Sequence, residues 1–410
     1  MTLNLFLIFG SAFFIFALVS KRIQGSILTL PMLFTLGGFL LSRVLMEQGG
    51  LTYDEGGLHT LAELTLILVL AADASQISLS ELKTMKAIPG RLLGIALPLI
   101  ILTGTIVGVL IFPTMPWFMA ALVAAILAPT DAALGSAVLA DKSVPLQVRQ
   151  GLNVESGLND GIALPAVLFF ACFLNMTHQT GEENWLTFLA LQLIIGPLAG
   201  VVVGWIGGQL IAKAADKQWI TPEFQGVAAM ALAVVAYAVA ETFHGNGFIA
   251  AFIAGLTYGN LKANYAKFLN EFTETESQFL AQLTFFLFGA LILPEAVHQV
   301  TIQMVIYAAL SLTLVRMVPV AIAMIGSKIG LPKIAFMGWF GPRGLASLLF
   351  ALLILEDLGV KDAEFIQAIV AVTVLMSIVL HGMTAAPFSK ALGKHSSSQS
   401  SVDDVKVSQP

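Results

Sequence analysis

The sequence predicts an all-α polytopic membrane protein of about thirteen transmembrane helices, built as two inverted halves around two broken spans. Three observations carry that reading. The composition is 57% hydrophobic and only 11% charged, with a mean hydropathy of +0.89, where soluble domains average about 25% charged residues. Apolar runs of spanning length recur along the chain, and the basic residues alternate between the loops that join them. Two of the runs are interrupted near the middle, and both carry a charge at the interruption.

The runs lie near residues 3–20, 26–42, 58–73, 92–111, 117–139, 151–174, 186–211, 223–243, 246–260, 279–294, 301–325, 333–354 and 365–387. The first could be mistaken for a signal peptide, but it lacks a basic leader and its apolar run is too long, so it reads as a span. Residues 262–278 are polar and read as a surface helix leading into the tenth span. The expected membrane domain covers 1–389, with repeats at about 1–175 and 223–389 and the seventh span as connector. Residues 390–410 are Ser-rich without an apolar face and are expected to form a disordered cytoplasmic tail.

Lys and Arg test the layout independently of hydropathy. One set of alternate loops holds Lys21, Arg22, Lys83, Lys86, Arg91, Lys142, Arg149, Lys213, Lys217, Lys262, Lys267, Lys328, Lys333, Lys390, Lys394 and Lys406. The opposite set holds Arg43 and Lys361, while Arg316 and Arg343 fall inside spans. The positive-inside rule puts the N-terminus outside and the C-terminus in the cytoplasm, which requires an odd number of spans. The small net charge of -5 and the lack of a basic patch give no support for a nucleic-acid partner. The single cysteine, Cys172, excludes an intrachain disulfide and a Cys-based metal cluster.

The chemistry centres on residues 153–165, NVESGLNDGIALP, in the sixth span. Ser156 and Asp160 share a helix face, as do Glu155 and Asn159. Charge at membrane depth is costly and is rarely kept without a use. The fifth span breaks at Ala128–Pro129–Thr130–Asp131, because proline removes a backbone donor and disfavours helix just before it. The twelfth breaks at Gly341–Pro342–Arg343–Gly344. Seven spans separate the two, so they cross the membrane in opposite senses. Paired interrupted spans of this kind point to a transporter binding site. Asp131 and Arg343 are placed to compensate positive and negative helix ends. Arg343 also calls for an anion, with Glu63 in the third span or Asp131 as candidates. Glu241 and Asp73 lie at span ends and read as interfacial. A monovalent cation needs several oxygens and at least one anion. Asp160, Asp131, Ser156 and the unwound backbone at Thr130 could supply them, with Asp160 holding either a cation or a proton.

These residues resemble the monovalent cation/proton antiporters of the NhaP and sodium/hydrogen-exchanger type. The resemblance rests on Thr130–Asp131, on Glu155–Ser156 and Asn159–Asp160–Gly161, and on Gly341–Pro342–Arg343–Gly344. It extends to Phe286–Leu287–Phe288–Gly289, Arg316 and the His381–Pro387 segment. Ala132 and Pro342 depart from the commoner proline and leucine of that family. The resemblance implies an NhaA/NhaP-like fold, Na⁺ or another monovalent cation exchanged for H⁺ at the cell membrane for pH and cation homeostasis, and a homodimer through the first, seventh and neighbouring spans. It implies that Asp160, Asp131, Ser156, Thr130 and Asn159 form the cation/proton site, that Glu155 pairs with Arg316, and that Asn159 beside Asp160 marks electroneutral one-for-one exchange. No cofactor is implied beyond the transported ions. A K⁺/H⁺ antiporter of the same fold and a cation channel are the competing readings. A membrane enzyme is disfavoured, since the sequence has no HExxH, no GxSxG and no clustered histidines.

Overall fold

The computed structural model describes residues 28–47, 55–80, 87–176, 185–261, 278–354 except Lys328, and 362–407, with isolated positions between 7 and 21 and Val360. Every regular element among them is helical. They are α1 (Leu30–Glu47), α2 (Glu55–Ser75), α3 (Ala87–Ile111), α4 (Trp117–Ile126), α5 (Ala132–Ala140), α6 (Leu146–Met176) and α7 (Trp185–Asp216). The chain continues with α8 (Pro222–Thr242), α9 (Gly247–Gly259), α10 (Gln278–Gln299), α11 (Ile302–Ala323), α12 (Leu331–Trp339), α13 (Leu345–Leu349, with a π-helical turn Phe350–Ile354) and α14 (Ala363–Val407). The expected spans from the second to the thirteenth each fall on one of these helices or on a pair of half-helices. Seven are long and apolar enough to cross a membrane by themselves. Of the expected first span only some residues are described, with 13–18 helical. The expected surface helix at 262–278 lies almost wholly outside the described residues.

The fifth and twelfth spans are each two half-helices. Residues 127–131 separate α4 from α5, and residues 340–344 separate α12 from α13. A third interruption lies in α11 at Thr313 (φ -113°, ψ -94°), three residues before Arg316. Its Oγ1 donates to the Ala309 carbonyl at 2.6 Å, and Thr103 Oγ1 of α3 donates to the Val315 carbonyl at 3.2 Å, so side chains take up the backbone acceptors. The last helix runs on to Val407 where disorder was expected from residue 390. Serine costs only a few tenths of a kcal/mol in a helix interior, and the packed segment before it serves as the nucleus.

Small residues set the closest helix contacts. Gly196, Gly200 and Gly204 recur every fourth residue of α7. A Cβ on each would fall 2.8, 2.6 and 2.8 Å from the carbonyl oxygens of Asn246, Ala250 and Ala254 along α9. On another face of α9, Gly255 and Gly259 lie against the Ala71 and Ser75 carbonyls of α2. Gly38 of α1 and Gly289 of α10 meet each other's helix backbone reciprocally, against Phe286 and Thr35. This is how membrane helices bring backbones together where lipid offers no hydrophobic drive. Asn260 ties the end of α9 to the segment after α2, accepting from Leu79 N–H and donating to the Ile77 carbonyl, each at 2.8 Å. On α6, Gly161 faces the Phe252 ring, and Gly157 faces the Ile77 side chain and the Asp73 carbonyl.

Gly259→Ala should therefore lower stability by about 1–3 kcal/mol, because its methyl meets backbone that cannot yield. Gly90→Ala, on an exposed helix position with nothing within 4 Å of the added carbon, should be neutral or stabilising by up to about 1 kcal/mol. Thermal unfolding of the purified variants in one detergent compares them, and equal melting temperatures would contradict the packing account.

Candidate functional site

The two breaks meet. Asp131 N–H donates to the Pro342 carbonyl at 2.8 Å. Asp131 is also the N-cap of α5: its Oδ1 accepts from Ala133 N–H at 2.7 Å and Leu134 N–H at 3.1 Å. Its Oδ2 accepts from Leu345 N–H, the first amide of α13, at 2.6 Å. One carboxylate thus faces the positive ends of two half-helices. The negative ends are met from the other span. Arg343 Nη1 donates to the Ala128 carbonyl at 2.6 Å and the Pro129 carbonyl at 3.1 Å, and Ser347 Oγ donates to the Ile126 carbonyl at 2.7 Å.

The face of α6 docks on the first break through Thr130. Thr130 Oγ1 accepts from Asn159 Nδ2 at 2.7 Å and shares a hydrogen bond of 3.0 Å with Ser156 Oγ. Thr130, Ser156, Asn159 and Asp160 are all buried. Asp160 Oδ1 and Asn159 Oδ1 are fully buried and have no protein hydrogen-bond partner. Unpartnered buried oxygens are costly and call for a water or ion as partner. An ionised carboxylate beside hydroxyl and amide oxygens is a suitable donor set for a hard monovalent cation or for a proton. The sequence placed Asp73, in the third expected span, at an interface. It is half-buried, and its backbone packs beside Gly157 of α6. Its proximity depends on how α2 crosses α6, which the spacing of residues in one chain does not encode.

Five residues before Asp160, Glu155 takes a separate role. Arg316 Nη1 and Nη2 donate to Glu155 Oε1 and Oε2 at 2.7 and 2.9 Å, a bidentate pair with both side chains buried. Arg316 Nη2 also reaches the Met337 carbonyl near the end of α12 at 3.4 Å. Gly341 leaves room for that guanidinium, since a side-chain carbon there would collide with it.

The expected carboxylate partner of Arg343 is a correction. The Arg343 hydrogen bonds go to the carbonyls of Ala128 and Pro129 and to neither Glu63 nor Asp131. Glu63 instead accepts a hydrogen bond from Tyr237 of α8. The concentrated negative end of α4 does the work assigned to a side-chain anion.

Residues 8–391 match the family described as sodium/hydrogen exchanger, transmembrane. The chain belongs to this family. That membership makes it a multi-pass membrane protein of a transporter family and not an enzyme. Among curated relatives, it is similar to the K⁺/H⁺ antiporter NhaP of Alkalimonas amylolytica, 23% identical over 379 residues that cover 92% of this chain and 64% of that protein. It is also similar to the Na⁺/H⁺ antiporter NhaP of Pseudomonas aeruginosa, 26% identical over 343 residues, 78% of either chain. The fold is that of the sodium proton antiporter MjNhaP1 from Methanocaldococcus jannaschii, with a TM-score of 0.74, 20% identity, and coverage of 96% of this chain and 99% of that one. So the exchanger fold places the two broken spans and the polar face of α6 together.

Glu155→Ala should destabilise the protein by about 3–5 kcal/mol, because it leaves a buried guanidinium unpaired. Replacing Arg316 alone should cost a similar amount, and replacing both together less than the sum. Thermal unfolding of the two single variants and the double variant measures the coupling. An additive double variant would mean that the pair contributes nothing beyond its members.

Proposed function

We propose that this chain exchanges one monovalent cation, Na⁺ in the first instance, for one proton, and that Asp160 is the exchanging group. The observation that carries the proposal is the buried Asp160 carboxylate with an unpartnered oxygen, set on α6 beside the break where Thr130 and Ser156 supply further oxygens. Asp160 holds either the cation or the proton. Asp131, Ser156 and the unwound Thr130 contribute to the cation shell, and Asn159 fixes Thr130 through its amide nitrogen.

Electroneutral stoichiometry follows from a charge count. The Asp131 oxygens are both engaged by backbone N–H groups, Glu155 is held by Arg316, and Asn159 cannot titrate. Only Asp160 changes occupancy, so the loaded site has the same charge in either state. The relatives' names support exchange but divide between Na⁺ and K⁺, which keeps K⁺/H⁺ exchange as the second reading. We further propose the orientation derived from the basic loops, a cell-membrane location and a homodimer through the first, seventh and neighbouring spans.

Proteoliposomes with a proton-sensitive dye, challenged in turn with Na⁺, K⁺ and Li⁺, test the exchange. Asp160→Asn should abolish cation-dependent proton flux while the folded protein remains in the membrane. Substantial exchange by this variant would remove Asp160 as the carrier. A potential clamped with valinomycin should leave the gradient reached with Na⁺ unchanged. Each elementary charge moved would be worth about 2.3 kcal/mol per 100 mV, so a voltage-dependent gradient would mean that a second group also trades its proton.

A further inference from the structure

The crossing leaves one half-helix end to be explained. The α12 helix stops at Trp339, and its terminal carbonyl, in the buried second break, accepts from Gly341 N–H at 2.9 Å and has a second lone pair to satisfy. His381 of α14 fills that role: its Nε2 lies 2.9 Å from the Trp339 carbonyl oxygen. A carbonyl only accepts, so Nε2 carries the proton. Nδ1 lies 3.1 Å from both Ser377 Oγ and the Ser377 carbonyl. Of these two only the hydroxyl can donate, so Nδ1 of the neutral imidazole accepts from it. Ser377 Oγ in turn accepts from Arg343 N–H at 2.7 Å. A single chain of hydrogen bonds therefore runs from Arg343 N–H through Ser377 Oγ and the imidazole to the Trp339 carbonyl. It bridges the unwound residues 340–344 from one side to the other. Ser377, His381 and Arg343 are fully buried, so no water replaces a lost member.

The bridge fixes more than one end of one helix. Residues 342–345 hold the first break through the Pro342 carbonyl, the Arg343 guanidinium and the Leu345 amide. Thr130 and Asp131 stand directly after the carbonyls that Arg343 binds. Two guanidiniums, of Arg316 and Arg343, already occupy the break. A neutral imidazole caps the Trp339 carbonyl without adding a third charge.

We propose that Ser377 and His381 are positioning residues of the transport site, which hold the backbone of the second break so that Arg343 and Pro342 keep the Thr130–Asp131 segment in its ion-binding shape. This rests on the reading of Asp160 and Thr130 as the site of exchange. Neither residue touches the ion, so their loss reshapes the site without removing a ligand.

The test uses the full-length protein in proteoliposomes, with apparent KM and Vmax for proton efflux measured against Na⁺, K⁺ and Li⁺, and the melting temperature of each variant. Ser377→Ala and His381→Gln should each raise the apparent KM on the order of tenfold. The double variant should lie within about twofold of the worse single one, because both interrupt one chain. Thr384→Val removes the partner of the Trp339 indole N–H and the hydroxyl's bonds to the Leu380 and His381 carbonyls of its own helix, but leaves the Ser377–His381 chain in place, and should keep the wild-type KM. A wild-type KM in folded Ser377→Ala, or a rise in Thr384→Val equal to that in Ser377→Ala, overturns the proposal. If Ser377→Ala does not fold, His381→Gln decides by the same criteria. Asp160→Asn in the same series separates the two levels: full transport by it overturns the site itself, whereas its inactivity beside a wild-type KM in the Ser377 and His381 variants overturns only the positioning role.

Discussion

Free backbone ends at membrane depth govern this structure. Each broken span creates amides and carbonyls that no water solvates and no helix turn satisfies, and each such group left alone would cost several kcal/mol. The crossing answers them with groups from the opposite span or from neighbours. Asp131 takes the amides that open α5 and α13. Arg343 and Ser347 take the carbonyls that close α4, and Arg316 and His381 take those that close α12. The break is thus a specified object rather than a kink. Pro129 and Pro342 forbid continuous helix, while the charged and polar partners make the gap stable.

That arrangement sorts the acidic groups into different tasks. Glu155 is matched by a guanidinium in two-point contact, and Asp131 is matched by three backbone amides. Asp160 lies beside them with an oxygen that nothing in the protein occupies. The difference arises from placement on the helix: five residues apart, Glu155 and Asp160 point to different sides of α6, Glu155 toward Arg316 of α11. The glycine-packed helices supply a firm backing. Close glycine-to-backbone contacts join α7 to α9 and α9 to α2, and the Phe252 and Ile77 side chains pack against α6.

Much of this was legible in the amino-acid order. Apolar runs located the helices, prolines located two of the breaks, and the alternation of polar residues on the sixth span marked the face that meets them. The partner of Arg343 was not legible, because a backbone carbonyl leaves no trace in residue identity. The packing of the Asp73 backbone beside Gly157 was not legible either, because it depends on the crossing of two helices. The break at Thr313 has neither proline nor glycine at it; a threonine whose hydroxyl replaces a backbone bond gives only a faint signal. The spacing of Gly196, Gly200 and Gly204, by contrast, was available as a small-residue repeat and foretells close packing. The helix through residues 390–407 shows that composition without an apolar face does not by itself fix the backbone state.

The central claim is that one group, Asp160, alternates between proton and cation while its acidic neighbours stay committed to the scaffold. The most direct measurement is the number of protons released per cation bound. It is obtained by calorimetric titration of the detergent-purified protein with Na⁺ or Li⁺ in buffers of different ionisation enthalpy. The account gives one proton released per cation, and no release with Asp160→Asn. A count near two, or undiminished release from the Asp160→Asn protein, would show that Asp131 or Asp73 shares the exchange and would contradict it.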